Sequence, residues 1–385
     1  MEIADGLLYV EVLGGGIIGE SIIIRLPGGQ WGVVDCYSSH LNKPDKHPVI
    51  QRLKYLNVPE LEFVALTHPH EDHYRGMRLL LEEYPPKRFW MFAGTTPHLL
   101  EYLIQYLPAE ADAGRTNSSR SSIDDLIRTF EIVSERAKAV QIIRTFVSGI
   151  SQVVSTGVCV ESETFPLKIT SFAPHGNVVN DYETKLATCF DPSSVIEKLT
   201  DVPLDHNDLS IGFVIEFGQC RVILGGDVVR KTWELVLRPD PMNPMELAAT
   251  AVKVSHHGSA TGYCDSLWST FAREKKPLAI VTPWRLKLPS AEAIEHILEY
   301  SDSLVATGLR SGAEALQSGF NLTTAFSPEA IEHLRADAIT LPQPLGFGRC
   351  GVTLNHLGRV INVEIADGAG HLTASPSQGE AGLSA

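Results

Sequence analysis

The stretch Thr67-His68-Pro69-His70-Glu71-Asp72-His73 places four potential metal ligands, His68, His70, Asp72 and His73, within six positions. Imidazole nitrogens combined with a carboxylate suit zinc, manganese or iron better than magnesium, which prefers all-oxygen sites. His68 and His70, two apart, can face one ion while Asp72 and His73 face a second. Pro69 stiffens the loop by fixing its own φ. Two cations about 3.5–4 Å apart can bridge and deprotonate a water, polarise a substrate oxygen and stabilise a leaving oxygen. Metal coordination lowers the pKa of water to about 7, so hydroxide is available at neutral pH. The bland alternative, a surface loop that happens to be rich in histidine, is disfavoured because a buried strand runs straight into the motif.

That strand is Phe63-Val64-Ala65-Leu66, and it belongs to an α/β pattern. Leu7–Leu13, Glu20–Leu26 and Trp31–Asp35 read as strands because they are short, rich in β-branched residues and bounded by glycine punctuation. Gly76–Glu83 has helical spacing, and Arg88–Ala93 is a further strand. A loop at a strand's C-terminal end is where open sheets place their chemistry. From about 95 to 165 the character changes to a polar loop and then an apolar helical face running from Ile123 to Val147, with acidic capping signals at Ser121 and Ser122. This stretch reads as a mainly helical insertion. Strands return at Leu167–Phe172, Ser210–Phe217, Arg221–Leu224, Ala251–Ser255 and Leu278–Thr282. A helix follows over Ala291–Tyr300, then a strand pair at Gly351–Asn355 and Arg359–Val363. Residues 366–385 are small and polar and read as a disordered tail, which leaves 1–365 as one domain interrupted by the insertion.

The His-x-His-x-Asp-His loop resembles that of the metallo-β-lactamase superfamily. The resemblance implies a four-layer αβ/βα sandwich, with two mostly antiparallel sheets back to back and metals at their top edge. It also implies where further ligands lie. Asp227, after the strand Val222-Ile223-Leu224 and Gly225-Gly226, matches the metal-bridging aspartate. His256-His257-Gly258-Ser259 matches the last ligand position; His257 is the favoured ligand, leaving His256 to contact substrate or transfer a proton. For the middle ligand the candidates are His206, His175 and His98, and His206 best reproduces the family's order of histidine, two strands, then aspartate. His175 reads as a turn residue and His98 as a helix start. Asp35 matches an early aspartate that supports the ligand loop by hydrogen bonds. The implied assignment is His68, His70 and His206 on one metal, Asp72, His73 and His257 on the other, and Asp227 between them. Asp72 could also orient or deprotonate the water.

Within the superfamily the chain looks most like the soluble domain of ComEC-type competence proteins. The likeness is carried by Asn207-x-x-Ser210, Gly-Gly-Asp, Val-Lys-Val-Ser-His-His-Gly-Ser and the Ala279–Thr282 strand. It spans about residues 5–83 and 166–365. Relatives often have aspartate at the position of His70, and many lack a histidine at that of His206. The insertion has no counterpart.

Composition bounds the rest. The 385 residues are 44% hydrophobic and 20% charged, with 31 glycines and 23 prolines, close to the ordinary share, so disorder, collagen and coiled coil are excluded for the whole. A net charge of −14 opposes generic nucleic-acid or anionic-membrane binding. No apolar run reaches the 18 or more residues of a membrane span. The acidic N-terminus carries no export signal, and six scattered cysteines without a CxxC read as reduced, buried thiols, so a cytoplasmic setting is expected. The function expected is hydrolysis by a metal-bridged hydroxide on two divalent ions, zinc first, then manganese or iron. Phosphodiesters, including nucleic acid, lead as substrates. The same site acting on a small carboxylic ester, thioester or lactam is the second reading, and a non-catalytic binding or regulatory module the third; iron-based redox use is weak because no flavin domain follows. A basic rim would have to come from Arg75, Arg78, Lys87, Arg88, Arg115, Arg120, Arg285 and Lys287, with Trp284-Arg285 the one aromatic–basic pair near a site rim.

Overall fold

The β-branched runs near the N-terminus form strands because each is bounded by turn residues and buries both faces. β1 (Leu8–Gly15), β2 (Glu20–Arg25) and β3 (Trp31–Val34) are antiparallel neighbours; β4 (Phe63–Leu66) and β5 (Arg88–Phe92) follow in parallel. α1 (Pro48–Tyr55) connects β3 to β4, while α2 (Glu71–Tyr74) and α3 (Met77–Glu83) connect β4 to β5. The computed structural model describes residues 3–15, 19–93, 118–136, 138–143, 151–189, 204–238, 246–284, 288–308 and 347–372.

The next elements are α4 (Ser118–Arg136), β6 (Ala139–Ile143), β7 (Ser151–Val160), β8 (Glu163–Ala173) and α5 (Gly176–Cys189). Here the chain departs from the single helical face read as far as Val147. The helix stops at Arg136, and β6 pairs parallel with β5, Val140 against Phe89 and Ile142 against Met91. β-branched side chains favour the extended backbone, and the open edge of β5, which no local periodicity reveals, decides the outcome. Within 95–165, the described residues thus form one helix, two strands and the start of a third, and the strands extend the sheets.

β9 (Gly212–Phe217), β10 (Cys220–Leu224), α6 (Arg230–Val236), β11 (Ala251–Lys253), α7 (Asp265–Phe271), β12 (Leu278–Val281), α8 (Ala291–Tyr300) and β13 (Ser303–Ala306) follow. β14 (Phe347–Leu354), β15 (Val360–Ala366) and β16 (Gly370–Leu372) close the described chain. The disordered tail expected over 366–385 is therefore not met at residues 366–372, which are ordered in a turn and a strand. A turn through Asp367 and Gly368, both at positive φ, returns β16 antiparallel to β13; residues 373–385 lie outside the described residues.

The described strands form two eight-stranded mixed sheets, ordered β15-β14-β1-β2-β3-β4-β5-β6 and β16-β13-β12-β11-β10-β9-β8-β7. Their inner faces share one apolar core, in which Trp90 of β5 stacks on Phe63 of β4 and reaches Phe213 of β9 across the interface at 5.8 Å between ring centroids. Val49, Ile50 and Leu53 of α1 and Met77 and Leu80 of α3 join the same core. Trp233, Trp268, Phe271, Ile294 and Ile297 bring α6, α7 and α8 onto the outer face of the second sheet. Burial of each such side chain contributes about 1.5–3 kcal/mol. Two back-to-back sheets with helices outside are the αβ/βα arrangement expected. Parallel pairing is confined to β3–β6 and β10–β13, so the chain provides parallel C-terminal strand ends in both sheets. Among the described residues no helix is long and apolar enough to cross a membrane.

Candidate metal centre

The histidines and aspartates of the ligand loop, Asp227 and the His256–His257 pair sit just beyond those strand ends. β4 delivers Thr67, His68 and His70, and α2 carries Asp72 and His73. β10 runs into Gly225-Gly226-Asp227. Gly226 adopts φ +50, and a Cβ there would lie 2.7 Å from Ile211 O and Ser210 Oγ, so the turn requires glycine. The Asp227 N–H donates to Ser210 Oγ at 2.8 Å. β11 leads into the tight turn Ser255–Gly258, where His256 and His257 occupy φ of 47 and 54. Non-glycine residues held in this region cost about 1–3 kcal/mol each and persist where the surroundings impose them. Here Ser255 Oγ donates to Val228 O, and His256 N–H to Gly226 O at 3.0 Å.

The cluster is compact and largely buried. Ligand-type atoms of His68, His70 and Asp227 lie within 4.8 Å of one another, as do those of Glu20, His73, Asp227 and His257. Asp227 belongs to both groups. His68 Nε2 is 3.0 Å from His70 Nδ1 and 3.7 Å from Asp227 Oδ2. His257 Nε2 is 3.1 Å from Asp72 Oδ2 and 3.6 Å from Asp227 Oδ2. His73 Nε2 lies 3.7 Å from Asp72 Oδ2 and 3.5 Å from Asp227 Oδ1.

Asp35, in the left-handed region at the end of β3, orients two of these histidines. Its carboxylate accepts from Thr67 N–H at 2.8 Å, from Thr67 Oγ1–H at 2.7 Å and from His73 Nδ1–H at 2.8 Å. Because the Thr67 hydroxyl spends its proton on Asp35, its oxygen can only accept from His68 Nδ1, 3.0 Å away. Both imidazoles are thereby fixed with Nδ1 as the donor and Nε2 turned into the cluster.

Burial holds His68, His70 and His206 below the usual imidazole range, His206 down to about 3, so these rings are neutral. For His73 and His257 burial works the same way, but Asp227 and Asp72 alongside lift both above that range. Burial would raise Asp72 and Asp227; His73 and His257 instead hold both low. Two atoms at the centre, His73 Nε2 and Asp227 Oδ1, are buried without a hydrogen-bond partner. Leaving a buried polar atom so costs about 1–3 kcal/mol, and a cation between them would satisfy both. The mixed nitrogen and carboxylate donors fit a divalent ion of the zinc, manganese or iron type.

Of the remaining expected residues, His206 stands beside His70, with ring centroids 5.5 Å apart, and its Nδ1 is 2.7 Å from Tyr182 OH. His175 is spent locally, its Nδ1 accepting from Asn177 N–H at 3.2 Å. His256 has Nδ1 3.1 Å from Thr261 Oγ1, and its ring centroid lies 6.4 Å from that of His257. His98, Arg115, Arg285 and Lys287 lie outside the described residues, and Arg120 falls in α4. Arg75 pairs with Glu71, Arg78 with Glu82 and Asp125, Lys87 with Glu60 and Glu62, and Arg88 with Glu62. Four participants went unread: Glu20, Lys253, Thr282 and Tyr182. An acid heading the buried strand Glu-Ser-Ile-Ile-Ile-Arg and a lysine inside Ala-Val-Lys-Val were the available signals.

No family model matches the chain, and no curated protein matches it. Among solved structures the chain is similar to the metallo-beta-lactamase fold protein YhfI from Bacillus subtilis, at 13% identity over 78% of this chain and 95% of that one, with a TM-score of 0.39. The Zn2+-bound PqqB from Methylobacterium extorquens shows 13% identity over 77% and 97%, with a TM-score of 0.37. A metallo beta lactamase from Hirschia baltica shows 14% over 60% and 71%, with a TM-score of 0.28. Overlaps this loose add no weight to a reading of activity, which rests on the side chains above.

Proposed function

We propose that this chain is a metal-dependent hydrolase that uses two divalent cations and acts on phosphodiesters. The carrying observation is the pair of ligand groups that share Asp227 in one buried cluster. In this reading His68, His70 and His206 hold one ion, Asp72, His73 and His257 the other, and Asp227 both. Charge supports two ions rather than one. Among the described residues, Asp35, Asp72, Asp227 and Glu20 are buried there against one buried ammonium, Lys253, a net of −3 once the histidines are neutral, as metal ligands must be. Two divalent cations with one small anion neutralise that charge, whereas one cation leaves it negative.

Cations held there supply acidified water and polarisation of a substrate oxygen. The chain's own residues do the rest. Asp35 and Thr67 keep two histidines aimed inward. Asp72, whose Oδ2 faces the cluster, can orient a water and take its proton. His256, tied at Nδ1 to Thr261, offers its other nitrogen to a substrate oxygen or leaving group. The phosphodiester preference is supported by the Ser-His-His-Gly-Ser turn and the likeness to the ComEC-type branch. One observation favours a second reading, a small carboxylic ester, thioester or lactam: among the described basic residues Arg75 and Arg78 are already paired with carboxylates, and Lys87 and Arg88 stand at the strand end opposite the cluster, which leaves these four little to offer a nucleic-acid backbone.

The test is hydrolysis of bis-p-nitrophenyl phosphate and labelled single-stranded DNA with added Zn2+ or Mn2+, with Asp72→Ala as the blank. Cleavage that the variant loses supports a metal phosphodiesterase. Failure on both substrates, in protein shown to hold two metals, transfers the assignment to esters, thioesters or lactams.

A further inference from the structure

Beneath His257 lies a second buried polar chain that no local motif announces. Glu20, at the start of β2, and Lys253, at the end of β11, are buried to within 1% and form an ion pair through Glu20 Oε2. The same oxygen accepts from Thr282 Oγ1–H at 2.7 Å. With its proton committed to Glu20, the Thr282 oxygen can only accept from His257 Nδ1, 3.0 Å away; the Thr282 carbonyl, also at 3.0 Å, can likewise only accept. His257 therefore donates from Nδ1, and its Nε2, turned toward Asp72 and Asp227, is the nitrogen left to meet a cation. Lys253 also reaches Gly226 O at 3.3 Å, which ties the chain to the turn that carries Asp227.

This arrangement repeats, in the other sheet, the one built on Asp35. There a carboxylate receives the Thr67 hydroxyl proton and Thr67 receives that of His68; here Glu20 receives from Thr282 and Thr282 from His257. Each threonine follows the end of a parallel strand, β4 or β12. A carboxylate behind the hydroxyl orients the imidazole and raises its basicity toward a cation.

We propose that Glu20, held by Lys253 and acting through Thr282, is the positioning residue that sets His257 for metal binding. This inference rests on the metal-hydrolase reading above, and it assigns Glu20 and Lys253 a role in metal affinity rather than in holding the sheets together. Glu20→Gln alone would strand the Lys253 ammonium in the interior and endanger folding, so two cleaner substitutions carry the test. Thr282→Val cuts the link and keeps the ion pair. Glu20→Gln combined with Lys253→Met removes both charges at similar volume.

Zinc affinity is measured by competition with a chromophoric chelator, Co2+ absorption spectra report ligand geometry, and thermal unfolding of the metal-free proteins reports the fold. The expected result is a fall in zinc affinity of about 10–100-fold in both variants, an altered Co2+ spectrum, unchanged metal-free unfolding, and recovery in Thr282→Ser. Wild-type affinity and spectrum in Thr282→Val would overturn the proposal while leaving the metal-hydrolase reading intact. A wild-type protein that binds neither zinc nor cobalt would overturn that reading first and this inference with it.

Discussion

Asp35→Asn is the substitution that most directly tests how the ligand loop is held. The amide keeps the shape of the carboxylate but turns one acceptor into a donor. If Nδ2 takes the place of Oδ1, it meets the Thr67 N–H, donor against donor, and a buried N–H loses its partner at a cost of about 1–3 kcal/mol. If Nδ2 takes the place of Oδ2, it confronts both the Thr67 hydroxyl and His73 Nδ1–H. The hydroxyl is then free to turn toward His68, and the protonation pattern of two histidines is released. Loss of such a partner costs roughly 10–100-fold in metal affinity per ligand. With two ligands affected the expected fall is about 100-fold or more, which is about 2.7 kcal/mol. Chelator competition with zinc at pH 7 measures it, beside urea unfolding of the metal-free protein. A folded variant whose zinc affinity stays within about threefold of wild type would refute the argument that Asp35 acts on the metal site through Thr67 and His73.

Further outcomes follow from the same geometry. His206→Ala should lower metal content, measured by elemental analysis; wild-type stoichiometry would move the middle ligand elsewhere, to His175 first. Chelation of bound metal should lower stability by about 4 kcal/mol when the ion had been present at a thousandfold excess over its Kd; identical melting with and without chelator would contradict a cation at His73 and Asp227. Asp125 of α4 accepts from Gly76 N–H at 2.7 Å and from Arg78, so Asp125→Ala should destabilise the fold by about 1–3 kcal/mol in urea melts, and an unchanged midpoint would show that α4 does not brace the ligand helices. His47 is pushed down to about 4 by burial, its Nδ1 accepting from Ile50 N–H. Below the unfolded value of about 6.5 the unfolded chain takes up a proton the folded one refuses, so stability falls with pH between about 6.5 and 4, by up to about 3 kcal/mol. His47→Gln should lack that component of the pH profile; a profile parallel to wild type would remove His47 as its source.

What could be read from the chain alone tracks how local each determinant is. Phe63–Leu66 and Ala291–Tyr300 match their elements end to end, since a wholly apolar strand and a Ser290-capped helix carry their own signals. α6 and α7 have only seven residues each, about two turns, too few for periodicity to declare. β6 looked helical because its apolar residues continue the spacing of α4, and only the exposed edge of β5 makes them a strand. The site divides in the same way. His68, His70, Asp72 and His73 are legible because one strand-to-helix turn presents them all, and Asp35, Asp227, His206 and the His256–His257 pair were reached through the resemblance. Glu20 and Thr282 carry no such mark: they lie 262 positions apart, and neither has a role until β2 and β12 meet across the two sheets. Lys253 was the readable clue. An ammonium costs too much to bury alone, so a lysine inside an apolar strand demands a carboxylate from elsewhere, and that carboxylate, once found, leads through Thr282 to His257.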